Sequence, residues 1–290
     1  MKKRYLASGI VLVLAGACSV QAEDFFFNSA GVRIHYTVEG KGEPVVLIHG
    51  WGTDIEWTWG EPGIIKGLAD HYQVIAIDNR GHGRSDKPHD PQQYGMNMVS
   101  DVIRLLDHLK IQQVHIVGYS MGGRITSVLL ADHPERIRTV TIGGYGWEDA
   151  EGLRALRIRA SQVAESLEQG KGVGPLMVWV TPRGEQPPNA EQMEAFNKMF
   201  LDRNDPLAVA AAMRGNPVLQ PSEEKLRVNK LPELAIVGEL DPSRTLVDKL
   251  ASIKGNLKIV VIPGANHLNA IRRPEFLEAL KTFLAAHPEK

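Results

Sequence analysis

Six short apolar runs punctuate the chain. They are Val45–Ile48, Val74–Ile77, Val114–Val117, Val140–Ile142, Leu234–Val237 and Ile259–Ile262. Each is nearly unbroken rather than alternating, the pattern of strands buried on both faces of a mostly parallel sheet. Residues 24–27 and 32–38 flank Ser29-Ala30-Gly31 and read as a hairpin. Between the runs the period changes to that of amphipathic helices. Met98, Val102, Ile103, Leu105 and Leu106 share one helical face. Ile125, Val128, Leu129 and Leu130 mark a second helix that Pro134 ends, and Phe276, Leu277, Leu280 and Phe283 a third near the C-terminus. Strand–helix alternation of this kind implies crossover connections and an open α/β sheet.

The alternation stops between residues 146 and 228. No strand signal occurs there, and the Ala, Leu, Met, Glu and Gln content favours helices, punctuated at Gly170–Gly174 and Pro182–Pro188. This stretch reads as a helical insertion. The sheet unit is then discontinuous, 23–145 and 229–290.

The start of the chain has a different pattern. Lys2, Lys3 and Arg4 precede an apolar run from Leu6 to Ala17, and Val20-Gln21-Ala22 has the spacing of a signal-peptidase site. Residues 1–22 therefore read as an export signal, too short for a membrane span of about 20 apolar residues. The implied address is periplasmic or secreted. The minority reading is a lipoprotein at Cys18, because Leu14-Ala15-Gly16-Ala17-Cys18 resembles a degraded lipobox. Cys18 is the only cysteine, so cleavage after Ala22 leaves a chain that must rest on its core without disulfides.

Composition changes the picture little. Of 290 residues, 43% are hydrophobic and 23% charged, which argues against wholesale disorder. With 33 basic and 34 acidic residues, the chain lacks the electrostatic footprint of a nucleic-acid binder. No H-E-x-x-H helix suggests a metal, and no cofactor is expected.

The chemistry lies at strand ends. Gly118-Tyr119-Ser120-Met121-Gly122 is a G-x-S-x-G that follows a strand and opens a helix. On such a sharp turn the serine is raised above the sheet, the glycines let neighbouring backbones approach, and the helix N-terminus faces developing negative charge. A serine hydroxyl needs a base. Of ten histidines, His267 follows a late strand, on the sheet edge expected for Ser120. His71, His89, His108, His133 and His287 fall on helices, a polar loop or the tail. The acid that orients the base is assigned to Asp241, after the strand ending at Val237. Glu239, Glu148 and Asp149 are the alternatives. The order Ser120, Asp241, His267 favours Asp241.

With His49-Gly50-Trp51-Gly52 and Asp78-Asn79-Arg80-Gly81-His82-Gly83-Arg84-Ser85, these residues resemble the serine-dependent, capped members of the α/β-hydrolase superfamily, from about Phe25 to Phe283. The resemblance implies a mostly parallel, eight-stranded sheet flanked by helices, with residues 146–228 as a cap. It also implies an oxyanion hole from the backbone N–H groups of Trp51 and Met121, and structural roles for His49 and Arg80. The implied activity is hydrolysis of a carboxylic ester, lactone or thioester through an acyl-enzyme. A C–C hydrolase, amidase or cofactor-free perhydrolase, or a ligand-sensing protein, stand as alternatives. The first loop is similar to that of arylesterase/perhydrolase-like members, many of which carry proline where Gly52 stands. Dehalogenases and epoxide hydrolases of this fold use an aspartate, so Ser120 argues against both. Trp57, Trp59, Trp147 and Trp179 are expected to line an apolar pocket for a small acyl substrate. The oligomeric state is open.

Overall fold

The computed structural model describes residues 23–182 and 184–289, so the leader 1–22 lies outside the described residues. Eight strands form one sheet: β1 (Glu23–Ser29), β2 (Val32–Glu39), β3 (Glu43–Ile48), β4 (Tyr72–Ile77), β5 (Val114–Tyr119), β6 (Ile137–Gly143), β7 (Glu233–Gly238) and β8 (Leu257–Ile262). Their spatial order is β1-β2-β4-β3-β5-β6-β7-β8. The first hairpin pairs antiparallel, β2 runs antiparallel to β4, and every other neighbour is parallel.

The unbroken apolar runs are explained by two cores. Val46 and Ile48 of β3 and Val114 and Ile116 of β5 join the core under helices α2 (Met96–His108) and α3 (Met121–Asp132). Val45, Leu47 and Val117 face the opposite core, under α1 (Ile64–Ala69) and the C-terminal helix Pro274–Ala285. A strand covered on both sides has no face for polar residues. β8, at the sheet edge, is mostly half-buried.

Between β6 and β7, among the described residues, lie five α-helices: α4 (Ala150–Glu168), α5 (Gly174–Val180), α6 (Ala190–Arg203), α7 (Pro206–Gly215) and α8 (Glu223–Val228). Their starts are written in the sequence. Asp149 accepts from the Gly152 N–H, Asn189 and Gln192 form a capping box, and Asp205 accepts from the Leu207 and Ala208 N–H groups. α4 packs on α7, where Ala208–Ala212 is a run of small buried side chains. These helices share one apolar cluster with β3, β5 and β6. A C-terminal pair completes the fold: α9 (Arg244–Ile253) and α10 (Pro274–Ala285). Among the described residues no helix is long and apolar enough to cross a membrane.

The strand order reverses between β3 and β5. From β3 the chain moves outward to β4, and from β5 it moves the other way to β6, β7 and β8. The carboxyl ends of β3 and β5 therefore leave a crevice where the connections diverge, the place where open α/β sheets bind ligands.

Candidate active site

Ser120 sits at that crevice, between β5 and α3, with φ 55° and ψ −112°. Positive φ on a residue with a side chain is strained, and the packing around it holds the turn. A Cβ on Gly122 would lie 1.9 Å from the Ile48 carbonyl oxygen, and one on Gly118 would lie 2.2 Å from the Gly122 carbonyl oxygen. Only glycine permits both approaches. The Ser120 N–H donates to the Gly143 carbonyl at 2.8 Å and ties the turn to β6.

His267 and Asp241 arrive on loops after β8 and β7. The structure brings all three side chains together. Ser120 Oγ is 3.0 Å from His267 Nε2, and His267 Nδ1 is 2.9 Å from Asp241 Oδ2 and 3.1 Å from Oδ1. The two loops are stitched by backbone bonds from the Glu239 N–H to the Ile262 carbonyl and from the Leu240 N–H to the Ala265 carbonyl. Asp241 Oδ1 also accepts from the Ser243 N–H (2.8 Å) and hydroxyl (2.6 Å). Burial pushes the Asp241 carboxyl up, but the attraction of His267 and the bonds from His267 and Ser243 outweigh it and hold it below the usual carboxylate value. Burial pushes His267 down, but the charge and hydrogen bond of Asp241 win and leave it above the ordinary imidazole value.

The other acid candidates are engaged elsewhere. Glu239 accepts from the Gly264 N–H, Glu148 pairs with Arg124, and Asp149 caps α4 and binds Lys249.

Gly50 brings the first loop against the nucleophile; a Cβ there would lie 3.4 Å from Ser120 Cβ. Among the described residues, neither the Trp51 nor the Met121 backbone N–H has a protein acceptor. His49 is fully buried and holds this loop. Its Nε2 accepts from the Asn79 N–H at 2.9 Å, which leaves Nδ1–H to donate to the Gly50 carbonyl at 2.7 Å. Burial lowers its basicity and keeps the ring neutral. Arg80 is a scaffold residue: its guanidinium binds Asp101 at 2.6 and 2.7 Å and the Gln93 carbonyl at 2.7 Å.

A cavity of about 780 Å³ opens over Ser120, with Trp51, Trp57 and Trp179 in its wall. Two expected tryptophans do not line it. Trp59 is 0% exposed and packs into the core under α1. Its neighbour Trp57 is held by the Asp54 carboxylate on its N–H and has the Arg203 guanidinium 4.6 Å from its ring. Trp147 packs on the opposite core, its backbone N–H bonded to the Leu246 carbonyl.

Several site residues carried no signal in the sequence reading. The Tyr119 hydroxyl donates to the His267 carbonyl at 2.7 Å, and its ring lies 5.7 Å from the imidazole. Its place within G-x-S was the available clue. The Trp51 indole N–H donates to the Val209 carbonyl of α7 at 2.8 Å and the ring stacks on Phe200 of α6 at 5.4 Å, while Asn204 donates to the Gly52 carbonyl. The helical insertion thus grips the loop that carries the Trp51 N–H.

A family model described as alpha/beta hydrolase fold matches residues 43–165, from β3 into α4. A solved structure of an N-acyl homoserine lactone degrading enzyme is 28% identical and superposes with a TM-score of 0.70, covering 89% of this chain and 100% of that one. This chain has the α/β-hydrolase fold. Among curated relatives, a 2-(acetamidomethylene)succinate hydrolase of Mesorhizobium japonicum is 28% identical over 93% of this chain and 99% of its own length. A dihydrolipoyllysine-residue acetyltransferase component of the acetoin cleaving system of Cupriavidus necator is 35% identical over 47% of this chain. That match covers 36% of the acetyltransferase component, and the chain spans less than half the length of the first curated relatives it matches.

Proposed function

We propose that this α/β-hydrolase cleaves a carboxylic ester or lactone through a Ser120-His267-Asp241 triad. The observation that carries the reading is the unbroken contact chain from Asp241 through both ring nitrogens of His267 to Ser120 Oγ, at the floor of the cavity. Asp241 holds the proton on Nδ1, so Nε2 keeps a lone pair toward the serine. His267 takes the Ser120 proton as Oγ attacks the carbonyl carbon. The tetrahedral oxyanion accepts from the Trp51 and Met121 N–H groups, donors with nothing else to bond. The carbonyl re-forms, the alkoxide leaves with the proton from Nε2, and an acyl-Ser120 ester remains. Water gives a proton to His267 as it attacks that ester, and the acid departs while Ser120 recovers its proton.

A second reading is amide or C–C cleavage by the same residues, favoured by similarity over nearly full length to the 2-(acetamidomethylene)succinate hydrolase. The perhydrolase alternative is weakened at Gly52. Its φ is 69°, which a proline ring locked near −65° does not adopt, and a Cβ there would lie 2.5 Å from Phe200. Turnover of p-nitrophenyl esters, lactones and anilides by wild type and Ser120→Ala separates these readings. Ser120-dependent turnover of esters or lactones is expected; turnover of anilides alone contradicts the first reading. Export of this hydrolase is part of the proposal, and N-terminal sequencing of exported protein should begin at Glu23. A start at Met1 or Cys18 would overturn cleavage after Ala22.

A further inference from the structure

The cavity over Ser120 holds its charges unevenly. Its three carboxylates, Glu148, Glu239 and Asp241, all come from the loops that follow β6 and β7 at the sheet edge. Each is engaged there: Glu148 pairs with Arg124, Glu239 accepts from the Gly264 N–H, and Asp241 holds His267. Arg159, the second arginine of the wall, comes from the helical insertion instead. It is exposed, and among the described residues no carboxylate or hydrogen-bond acceptor partners it.

The contact that Arg159 does make is with the wall itself. Its guanidinium lies 5.5 Å from the ring centre of Trp179, a half-buried residue of α5 that also lines the cavity. A guanidinium held over an indole face still presents N–H donors at its edge, in the fork that matches a carboxylate. Gly152, Ala155 and Arg159 share one face of α4, at the i, i+3, i+7 spacing, and all three line the cavity. The first two end at a hydrogen and a methyl, so Arg159 is the functional group that this face offers. From Gly152 to Arg159 is about 10 Å of helix axis. The cavity that holds Ser120 therefore extends along the insertion, with its carboxylates at the sheet edge and an uncommitted cation on α4.

We propose that Arg159 is a subsite for a substrate carboxylate, remote from the bond that Ser120 attacks. This rests on the ester-hydrolase reading and names its substrate class: an ester or lactone whose acyl or alcohol part ends in a carboxylate several bonds from the reacting carbonyl. The layout orients such a molecule. Glu239 and Asp241 repel its anionic end from the sheet edge, Arg159 attracts it to α4, and the uncharged ester is left for Ser120. The expectation of a wholly apolar pocket is revised accordingly.

The test uses methyl half-esters of linear dicarboxylic acids of increasing chain length. Each is compared with the methyl ester that carries a terminal carboxamide in place of the carboxylate. Binding is read by calorimetric titration into Ser120→Ala protein, and turnover by acid release from wild type. At one or more chain lengths the carboxylate should bind about fivefold tighter or better, as an accessible arginine pair gives, and less so at high salt. Adding Arg159→Gln should bring the ratio close to one, and Arg159→Lys, which keeps the charge, should restore part of it. A ratio near one at every length, or a preference that survives Arg159→Gln, overturns the subsite. Carboxylate preference in binding without Ser120-dependent turnover of any ester upholds the subsite and sinks the ester reading. Turnover without carboxylate preference does the reverse.

Discussion

Replacing Asp241 by asparagine leaves the shape of the site intact and reverses one proton. Asp241 Oδ1 accepts from both the N–H and the hydroxyl of Ser243, at 2.8 and 2.6 Å. In Asp241→Asn the amide oxygen therefore stays at that position, where two donors point at it. The amide NH2 then takes the Oδ2 position, 2.9 Å from His267 Nδ1. Two donors cannot face each other there, so Nδ1 must give up its hydrogen and accept. The hydrogen moves to Nε2, the atom 3.0 Å from Ser120 Oγ, and the imidazole no longer accepts the serine proton. The loss of a correctly tautomerised base is about 10⁴-fold in kcat, roughly 5 kcal/mol of barrier. The assay is kcat for the best p-nitrophenyl ester at neutral pH, with thermal melts to show that the variant is folded. A folded Asp241→Asn protein within tenfold of wild type would refute the tautomer argument.

Other consequences are as specific. The free base at His267 is the working form and its pKa lies above 6.5, so kcat/KM should climb with pH through an acid limb centred above that value; a limb centred below 6.5 contradicts the Asp241 contact. Trp51→Phe keeps a ring over Phe200 but removes the indole bond to the Val209 carbonyl, which retains its place in the α7 ladder, so urea unfolding should register a loss of about 0.5–1.5 kcal/mol, and kcat should fall more than KM changes. Unchanged stability and kcat would count against the grip of α7 on this loop. Lys254 and Glu233 form an ion pair at 2.9 Å with both side chains fully buried, so Lys254→Met should cost about 3–5 kcal/mol in denaturant unfolding, with most of it recovered in Lys254→Met/Glu233→Leu. A double variant as unstable as the single would show that the loss is packing rather than charge.

The sheet was legible because its pattern is local. A run such as Val45–Ile48 needs burial on both faces, and the two cores flanking β3 supply it. The Ser120 turn was legible for the same reason, since the close approaches at Gly118 and Gly122 arise within one strand–turn–helix and its neighbouring strand. The order of Ser120, Asp241 and His267 at strand ends did the rest.

The pocket wall was not legible. Trp57 and Trp59 are two residues apart on one π-helical turn, and the side that faces the cavity is decided by Asp54 and Arg203, the latter 146 positions away in sequence. Arg124 lies on a helix whose residues Met121–Ala131 are all buried, so the sequence pattern reads as packing there. Its pairing with Glu148, and the cavity shared with Tyr145 and Asn216, exist only after folding. Tyr119 hides in an apolar strand, where its hydroxyl has no visible purpose until the His267 loop folds over it.

The central claim is that Ser120 is a nucleophile activated by His267. Its most direct measurement is reaction of the folded protein with a fluorophosphonate, read by intact mass and peptide sequencing. One adduct, on Ser120, is predicted, absent in Ser120→Ala and formed far more slowly in His267→Ala. A protein that stays unlabelled, or that is labelled at another residue, would contradict the account.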